Sequence, residues 1–412
     1  MTVVSRFIKI LKSVIVVVTF ILAIVFSFNS CHSAEGRSAY YDASIFSSYP
    51  KIDTAFNRIL DERIKEKMNI ERTPGLAIAV IKDDRIIFEK EYGVRSRSSD
   101  GEIDPNTIFR IGSLSKGFAG ILAAKLVEQN MISLEDPVSM YYPEFTAKGK
   151  NADGVIRIKH ILSHSTGFTE HAFSNLLDQK VDINKIYSNL ERLSPRDSTG
   201  IAYAYQNVIF AIIEKVIEKA TGMSYADALQ DYIFSPLSMC NSSCTYEDVE
   251  GKENVCSGHR SGRYGFYATP VSTQYYCVAS AGGVNASLKD MERWLSAMMG
   301  NDPDIVSDEA RNLAFQEMIC TSIDRKAWNR WPGFISSHYG LGWRLIKTQQ
   351  NNLVYHGGMV NGFRAEIAFD RDKKIGIIAL FNSVNKYSNY IVPEFYDLWN
   401  TYYDAAGAES IL

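Results

Sequence analysis

Residues 111–120 read IGSLSKGFAG, and they begin an apolar run that continues ILAAKLVEQNMISLED. Ser113 and Lys116 lie three residues apart at the start of this run. Residues at that spacing share one face of a helix, with Cβ atoms about 5 to 6 Å apart. The stretch therefore predicts a buried helix that begins near Ser113 and carries a hydroxyl beside an amine.

A hydroxyl beside an amine is typical of an activated nucleophile. Serine needs a neighbouring base to take its proton, and a lysine crowded by Phe118 and Ile121 is pushed toward its neutral form by desolvation. The free N–H groups of a helix N-terminus also favour a developing oxyanion. The structural alternative makes Ser113 an N-cap and Lys116 a surface residue whose stem packs along the helix.

The SxxK spacing alone decides little, because it recurs at Ser48 with Lys51 and at Ser383 with Lys386. Its context separates the three occurrences, since only Ser113 begins a long apolar helix. Ser113 is therefore the candidate nucleophile.

Hydrolases of the SxxK type add a second polar triplet and a basic triplet downstream. A Tyr-x-Asn triplet occurs three times, at Tyr187/Asn189, Tyr205/Asn207 and Tyr387/Asn389. Tyr205 immediately precedes an apolar helical pattern, as Ser113 does. Tyr187 lies among charged residues, and Tyr387 falls in a predicted C-terminal turn. Tyr205 and Asn207 are therefore the favoured pair.

Two segments are candidates for the basic triplet of the site. His356, Gly357 and Gly358 stand within LVYHGGMVNGF, a strand-like stretch whose paired glycines let a substrate backbone approach and pair with the strand. The alternative begins at His338, for which we predict a loop before the strand GLGWRL.

Strand patterns occur at both ends of the chain. Residues 75–94 predict a β-hairpin, and LVYHGG, GFRAEIAFD and KIGIIALFN predict three short strands. Residues 53–69 predict an amphipathic surface helix, VPEFYDLWNTYYDA predicts a closing helix, and the middle is rich in helical patterns. The predicted fold class is α/β: an antiparallel sheet built from N- and C-terminal strands and flanked by helices, with an inserted all-helical lobe.

These patterns define a single predicted domain at residues 44–406. Its sheet part comprises about 44–112 and 336–406, and its helical lobe about 113–335. Clefts form where such lobes meet, so we expect the site between lobe and sheet.

The composition is ordinary for a soluble globular protein, with 46% hydrophobic and 22% charged residues and a net charge of -3. Basic residues do not cluster, so nucleic acid is not an expected partner. His160 and His164 have the spacing of metal ligands but lack a third ligand, and we expect structural roles. GxGxxG is absent, and we expect neither a cofactor nor a metal.

Residues 1–34 predict a signal peptide or membrane anchor. Arg6, Lys9 and Lys12 precede an uncharged stretch from Ser13 to Phe28, the layout of a secretory signal. The stretch is short for a membrane span, which needs about 20 residues. We therefore expect an exported protein, periplasmic or secreted, with membrane attachment, including lipidation at Cys31, as the alternative.

An exported chain matures in an oxidising compartment, where disulfides form. Five cysteines follow the leader, and proximity suggests pairing Cys240 with Cys244 or Cys256 with Cys277. Because five is odd, at least one thiol should remain outside intramolecular pairs.

Several stretches resemble, in order, the serine β-lactamase and penicillin-binding superfamily, in the branch of class C β-lactamases, D-alanyl-D-alanine carboxypeptidases and related esterases. The resemblance covers roughly residues 52–404. It comprises FRIGSLSKGFAGILAAKLVEQNMISLEDPVSMYYPEF, IRIKHILSHSTGF, the Tyr205 segment, AGGVNASLKDMERWL, HYGLGWRL and YHGGMVNGFRAEIAFD. It implies an α/β sheet domain flanked by an all-helical lobe.

The resemblance also implies roles for individual residues. Ser113 would be the acylated nucleophile, Lys116 its proton partner, and Tyr205 the general base that later serves as acid to the leaving group. Asn207 would bond the substrate amide. The backbone N–H groups of Ser113 and Met359 would form the oxyanion hole.

His356 stands where class C β-lactamases have lysine and where carboxypeptidases and esterases often have histidine. A tyrosine is a weak base unless cations stabilise its phenolate, and a protonated His356 together with Lys116 would supply them. Activity would then fall as pH rises through the His356 titration. Candidates for holding a substrate carboxylate are Asn361, Arg364 and Asn385.

The implied function is an exported serine hydrolase that acts through an acyl-enzyme on β-lactams or D-amino-acid-containing peptides. One alternative is an esterase on small acyl esters, because the same machinery serves any carbonyl that fits. Others are a membrane-tethered penicillin-binding sensor that is acylated without turnover, and a catalytically silent scaffold. The sequence indicates no oligomeric state.

Overall fold

A computed structural model describes residues 54–99, 101–150, 153–321 and 328–409. The predicted leader and the first residues of the predicted domain lie outside these ranges. Within them, no helix has the length and apolar character needed to span a bilayer.

The main structural element is an eight-stranded antiparallel sheet in the order β2-β1-β12-β11-β10-β9-β8-β7. The strands in chain order are β1 Gly75–Lys82, β2 Arg85–Gly93, β3 Ile108–Arg110, β4 Gly258–Gly262, β5 Gly265–Thr269, β6 Asn285–Ser287, β7 Ile319–Cys320, β8 Phe334–Tyr339, β9 Arg344–Thr348, β10 Asn352–Val360, β11 Phe363–Asp370 and β12 Ile375–Phe381. Because β1 pairs with β12, the two ends of the chain meet within one sheet, as predicted.

Helices cover both faces of this sheet. In chain order they are α1 Thr54–Glu71, α2 Ser115–Glu128, α3 Val138–Tyr141, α4 Ile158–Leu162, α5 Ser174–Asp178, α6 Ile183–Tyr187, α7 Asn207–Phe210, α8 Ile213–Thr221, α9 Tyr225–Leu229, α10 Ala279–Gly282, α11 Leu288–Met299, α12 Asp308–Ala314 and α13 Lys386–Glu409.

Alternation along β1 shows why the sheet is covered on both sides. Successive side chains of a strand point to opposite faces, and the whole of β1 is apolar and buried up to Ile81. Leu76 and Ile78 join the core formed with α1 and α13, whereas Ala77 and Ala79 join the core of the helical lobe. The site lies on the lobe side.

The terminal helices pack on each other as well as on the sheet. The ring of Phe56 in α1 meets Phe395 and Trp399 of α13 edge-on, with ring centroids 6.4 and 5.1 Å apart. Tyr387, predicted to lie in a turn, is buried in the first turn of α13 against Phe381. That prediction was wrong because the apolar face of the helix begins before VPEFYDLWNTYYDA, the aromatic-rich stretch from which the helix was predicted.

Two further sequence predictions are corrected. The lobe is not all-helical, since β4 pairs with β5 inside it and its strand β6 pairs with β3, just before the lobe begins. These strands have three to five residues, too few to establish an alternating pattern. His338 lies in strand β8, paired with Leu345, and not in a loop.

Neither predicted disulfide forms. Cys244, Cys256 and Cys277 are free thiols in the described part of the chain. Cys244 and Cys256 are also buried. Proximity in sequence therefore did not predict disulfide pairing.

Candidate active site

Ser113 lies in a short turn, Gly112–Leu114, immediately before α2. It is half-buried, whereas the other nine residues of 111–120 are buried. Gly112 has a φ of +54°, the left-handed region that favours glycine. The turn therefore presents one hydroxyl at the mouth of a buried helix.

Lys116 lies beneath this turn with no solvent exposure. Its Nζ donates hydrogen bonds to Asn207 Oδ1 at 2.8 Å and to the Ala281 carbonyl oxygen at 2.7 Å. Burial lowers the pKa of Lys116 well below its ordinary value, and the Arg344 charge lowers it further. A neutral amine has two N–H donors, so these two carbonyls use both and leave the lone pair able to accept a proton.

Tyr205 lies next to both groups. Ser113 interacts with its side chain and lowers its pKa, and Lys116 Nζ lies 4.7 Å from the centre of its ring. Burial nevertheless raises the pKa of Tyr205 above its ordinary value, although Ser113 and Arg344 oppose that change. Tyr205 is thus a neutral phenol at neutral pH, whereas Lys116, with its lowered pKa, is the candidate base.

The fixed cation of the site is Arg344, at the start of β9. Its guanidinium carbon lies 5.5 to 5.8 Å from the centres of four aromatic rings: Tyr203, Tyr205, Trp328 and Tyr339. Its charge is therefore held by aromatic groups and not by a carboxylate in the described part of the chain, so it remains available to an anion.

His356 does not supply the predicted positive charge. Its Nδ1 lies 2.9 Å from the Gly357 carbonyl oxygen and its Nε2 2.9 Å from the Tyr339 hydroxyl. A carbonyl only accepts, so Nδ1 carries the proton and Nε2 accepts from Tyr339. Burial lowers the pKa of His356 well below its ordinary value, and Arg344 and Lys116 lower it further. The prediction of a protonated His356 was wrong because burial of the ring and the charge of Arg344 both favour its neutral form.

Strand β10 passes very close to the Ser113 turn. A Cβ at Gly358 would lie 2.0 Å from the Ile111 carbonyl oxygen and 3.0 Å from Ser113 N, and one at Gly112 would lie 2.8 Å from Met359 N. Only glycines fit at such distances. This close approach places the backbone amides of Ser113 and Met359 on neighbouring segments. An oxyanion hole requires two such donors near each other.

The structure does not bring Arg364 to this site. Gly357 and Gly358 point to opposite faces, and the Arg364 guanidinium lies on the Gly357 face, away from Ser113. There its Nε donates to Glu366 Oε1 at 2.8 Å.

The other two carboxylate-binding candidates lie at chain turns. Asn385 caps α13: its Oδ1 accepts from Ser388 N, and its Nδ2 donates to Thr73 Oγ1, both at 2.8 Å. Asn361 lies in the β10–β11 turn with a φ of +43°, and its buried Nδ2 has no partner among the described residues. Asn385 is thus committed to the helix cap.

The histidines of HILSH hold loops. His160 Nδ1 accepts from Arg157 N at 3.1 Å. His164 Nδ1 accepts from Gln206 N at 3.2 Å, and its ring centre lies 4.4 Å from that of Tyr205.

Sequence reasoning missed two partners of the catalytic candidates. Ala281 acts through its carbonyl oxygen, which no side-chain pattern reveals. Arg344 had a detectable signal, a lone charge directly after the apolar GLGW, but nothing in that stretch shows that four aromatic rings surround it.

Comparison with known proteins identifies the family. The sequence profile of the Beta-lactamase family matches residues 60–392. The chain belongs to the β-lactamase family. A serine hydrolase of this family is therefore supported, at low sequence identity to the relatives described next.

Three relatives of this β-lactamase-family chain come from different organisms and carry different names. It is 26% identical over 344 residues to the unguisins hydrolase ungD' of Aspergillus campestris, covering 80% of this chain and 62% of that protein. It is 24% identical over 357 residues to a β-lactamase of Escherichia coli, covering 79% and 88%. It is 22% identical over 351 residues to protein flp of Staphylococcus aureus, covering 83% and 65%.

The chain spans about three fifths of the length of the unguisins hydrolases that it matches. Among solved structures, it resembles the octameric penicillin-binding protein homologue from Pyrococcus abyssi, with a TM-score of 0.69 at 26% identity over 79% of this chain and 73% of that one. The penicillin-binding-protein-like fold, a large antiparallel sheet with flanking helices, agrees with the predicted α/β class.

Proposed function

We propose that this protein is an exported serine hydrolase that forms an acyl-enzyme at Ser113 with β-lactams or peptides ending in a D-amino acid. The observation that carries the proposal is the grouping of Ser113, a neutral Lys116 and a neutral Tyr205 beside a charged Arg344. The leader composition, a charged segment before an uncharged stretch, supports export.

Acylation starts with proton transfer from Ser113. Its proton passes to the Tyr205 oxygen as the Tyr205 proton passes to Lys116, which leaves an ammonium and a neutral phenol. This relay needs no resting phenolate. The Ser113 oxygen attacks the carbonyl carbon, and the backbone N–H groups of Ser113 and Met359 stabilise the oxyanion.

Breakdown of the tetrahedral intermediate reverses the relay. Tyr205 gives its proton to the leaving nitrogen and is reprotonated by Lys116, so the amine returns to its neutral form. Water then attacks the acyl-enzyme by the same sequence of transfers, with Ser113 as the leaving group. The proton count closes after each half-reaction.

Arg344 favours an anionic substrate over a neutral ester. β-Lactams and peptides with a free C-terminus both carry a carboxylate near the scissile bond, and a guanidinium without a carboxylate partner is suited to bind it. A small neutral ester would leave that charge unused. This feature supports the β-lactam and peptide substrates over the esterase alternative.

The test is a substrate panel on purified protein: a chromogenic cephalosporin, a D-Ala-D-Ala peptide and a p-nitrophenyl ester, each followed for product and for protein mass. Sustained turnover of the cephalosporin or the peptide is the expected result. A stable mass gain without turnover would identify a sensor instead, and turnover of the ester alone would contradict the proposed substrate class.

A further inference from the structure

The catalytic candidate Lys116 depends on a main-chain acceptor. Its Nζ donates to the carbonyl oxygen of Ala281 at 2.7 Å, in the four-residue helix α10. A helix this short is marginal by itself. The place of the carbonyl is therefore set by whatever holds α10.

Side chains hold the segment at both ends. At the start, Oε1 of Glu214 in α8 accepts hydrogen bonds from Ser280 N at 2.8 Å and from Ser280 Oγ at 2.7 Å. At the far end, Val284 N donates to Ser115 Oγ at 3.0 Å. Ala281 lies between these two anchors.

We propose that Glu214 is a positioning residue that acts through α10, holding the Ala281 carbonyl against the amine of Lys116. The inference rests on the proposed function, because its effect on rate is exerted through Lys116. Without this acceptor the amine would lose one of its two hydrogen-bond partners. Its lone pair would then no longer be fixed toward the proton that it must accept.

The hydrogen bonds that Glu214 accepts from Ser280 should depend on pH. Burial raises the pKa of Glu214 to about 7, and a protonated carboxyl is a weaker acceptor than a carboxylate. As pH falls through this value, the bonds to Ser280 should weaken and acylation should slow.

Several other ionisable groups lie near Glu214. On its own helix, Lys215 and Glu218 form an ion pair with each other at 2.8 Å. The groups that face it from other elements all have a pKa raised by burial and remain neutral near pH 7: Tyr187, Tyr225, Cys244 and Cys277. Lys116 also has a lowered pKa, so the step assigned to Glu214 is the one that Glu214→Gln removes while Lys116 is unchanged.

The test compares Glu214→Gln with Glu214→Ala. Glutamine keeps an acceptor oxygen and does not ionise, so above the titration range it should acylate at the wild-type rate, and its profile should lack the step near pH 7. Alanine should slow acylation about 10- to 100-fold, the size of effect that a misplaced catalytic group produces. Glu218→Gln, the same change one turn along α8, is the control and should keep the step.

A second readout does not depend on activity. Hydrogen exchange of the backbone amides of residues 279–284 should be faster in Glu214→Ala than in the wild type, and unchanged in Glu214→Gln. If wild-type protein is not acylated by any substrate, the proposed function fails while this exchange measurement still tests the anchor. Two results would overturn the inference. One is a Glu214→Ala variant whose acylation rate and hydrogen exchange both match those of the wild type. The other is a Glu214→Gln variant that is acylated as slowly as Glu214→Ala.

Discussion

The charge state of Lys116 decides whether Ser113 can be activated at neutral pH. Burial lowers the pKa of Lys116, so the amine is the free base above that pKa and loses this capacity below it. Acylation should therefore fall as pH falls through the pKa. Lys116→Arg should slow acylation by about 10²- to 10⁴-fold, the usual contribution of a general base, because a guanidinium stays charged.

The comparison for Lys116→Arg is Lys125→Arg, the same substitution on the same helix, at a residue whose amine bonds the Ile305 carbonyl oxygen. Single-turnover acylation measured across pH is the assay. An active Lys116→Arg enzyme with the wild-type profile would remove Lys116 from the proton relay.

Arg344 should govern affinity for anionic substrates. Arg344→Met keeps apolar contact with the surrounding rings but removes the charge. A hydrogen bond to a charged group contributes about 1.5 to 3 kcal/mol, so kcat/KM for the cephalosporin or peptide should fall by about 10- to 100-fold. Hydrolysis of a neutral ester, where measurable, should fall less.

A matched variant is Arg371→Met, at an arginine that also lies over a ring, 5.6 Å from the centre of Phe315. It should leave both rates unchanged. Equal losses on charged and neutral substrates in Arg344→Met would mean that Arg344 supports the fold of the site and not substrate binding.

At this scale, sequence context selected Ser113, Lys116 and Tyr205 from recurring motifs, and the structure places them next to one another, while their catalytic roles stay predictions. It misjudged His356. A histidine in a strand can carry a charge, but burial and the nearby charge of Arg344 lower its pKa, and neither is visible in the residues around His356.

At the scale of the element, the contact between β10 and the Ser113 turn sets the geometry of the proposed oxyanion hole. Gly358→Ala should reduce kcat by about 10²- to 10³-fold, the cost of losing one oxyanion donor. The reason is steric: the added methyl group would meet backbone atoms of Ile111 and Ser113 at 2.0 and 3.0 Å.

Gly357→Ala is the control on the same strand. Its methyl group would face the ends of the Tyr355 and Arg364 side chains at 2.6 and 2.8 Å, and side chains can move. Steady-state kinetics of both folded variants make the comparison. A Gly358→Ala enzyme that turns over as fast as Gly357→Ala would contradict the assigned hole.

Elements with a clear period were predictable, and short polar ones were not. The apolar alternation of β1 and the helical spacing in α1 reflect burial of a whole face, so sequence reveals them. The hairpin of β4 and β5, GHRSG and GFYAT, has no such face and is held by pairing and by contacts of His259 with Asn382.

At the scale of the whole molecule, the sheet separates two cores, and the catalytic candidates lie against only one of them. Phe56 belongs to the other, between α1 and α13. Phe56→Ala should lower the free energy of unfolding by about 3 to 5 kcal/mol, as for other large aromatic residues in cores. Because the site is on the opposite face, kcat of the folded variant should stay near the wild-type value.

Denaturant unfolding together with steady-state kinetics checks this separation. Phe56→Leu should show the same pattern with a smaller loss of stability. A fall in kcat at conditions where Phe56→Ala is fully folded would show that the two cores are coupled.

The overall architecture followed from where the strand patterns lie, at the two ends of the chain. The predicted domain limits and leader stay predictions. The cysteines show that closeness in sequence does not by itself predict disulfide pairing, since Cys256 and Cys277 are not paired.

The most direct measurement of the central claim is the intact mass of the protein after brief exposure to a β-lactam, followed by mapping of the modified peptide. We expect a mass increase equal to one β-lactam on the peptide that contains Ser113. The increase should be absent in Ser113→Ala and retained in Ser383→Ala, which alters another SxxK serine. Modification that persists in Ser113→Ala, or that maps to a different residue, would contradict the assignment of Ser113 as the nucleophile.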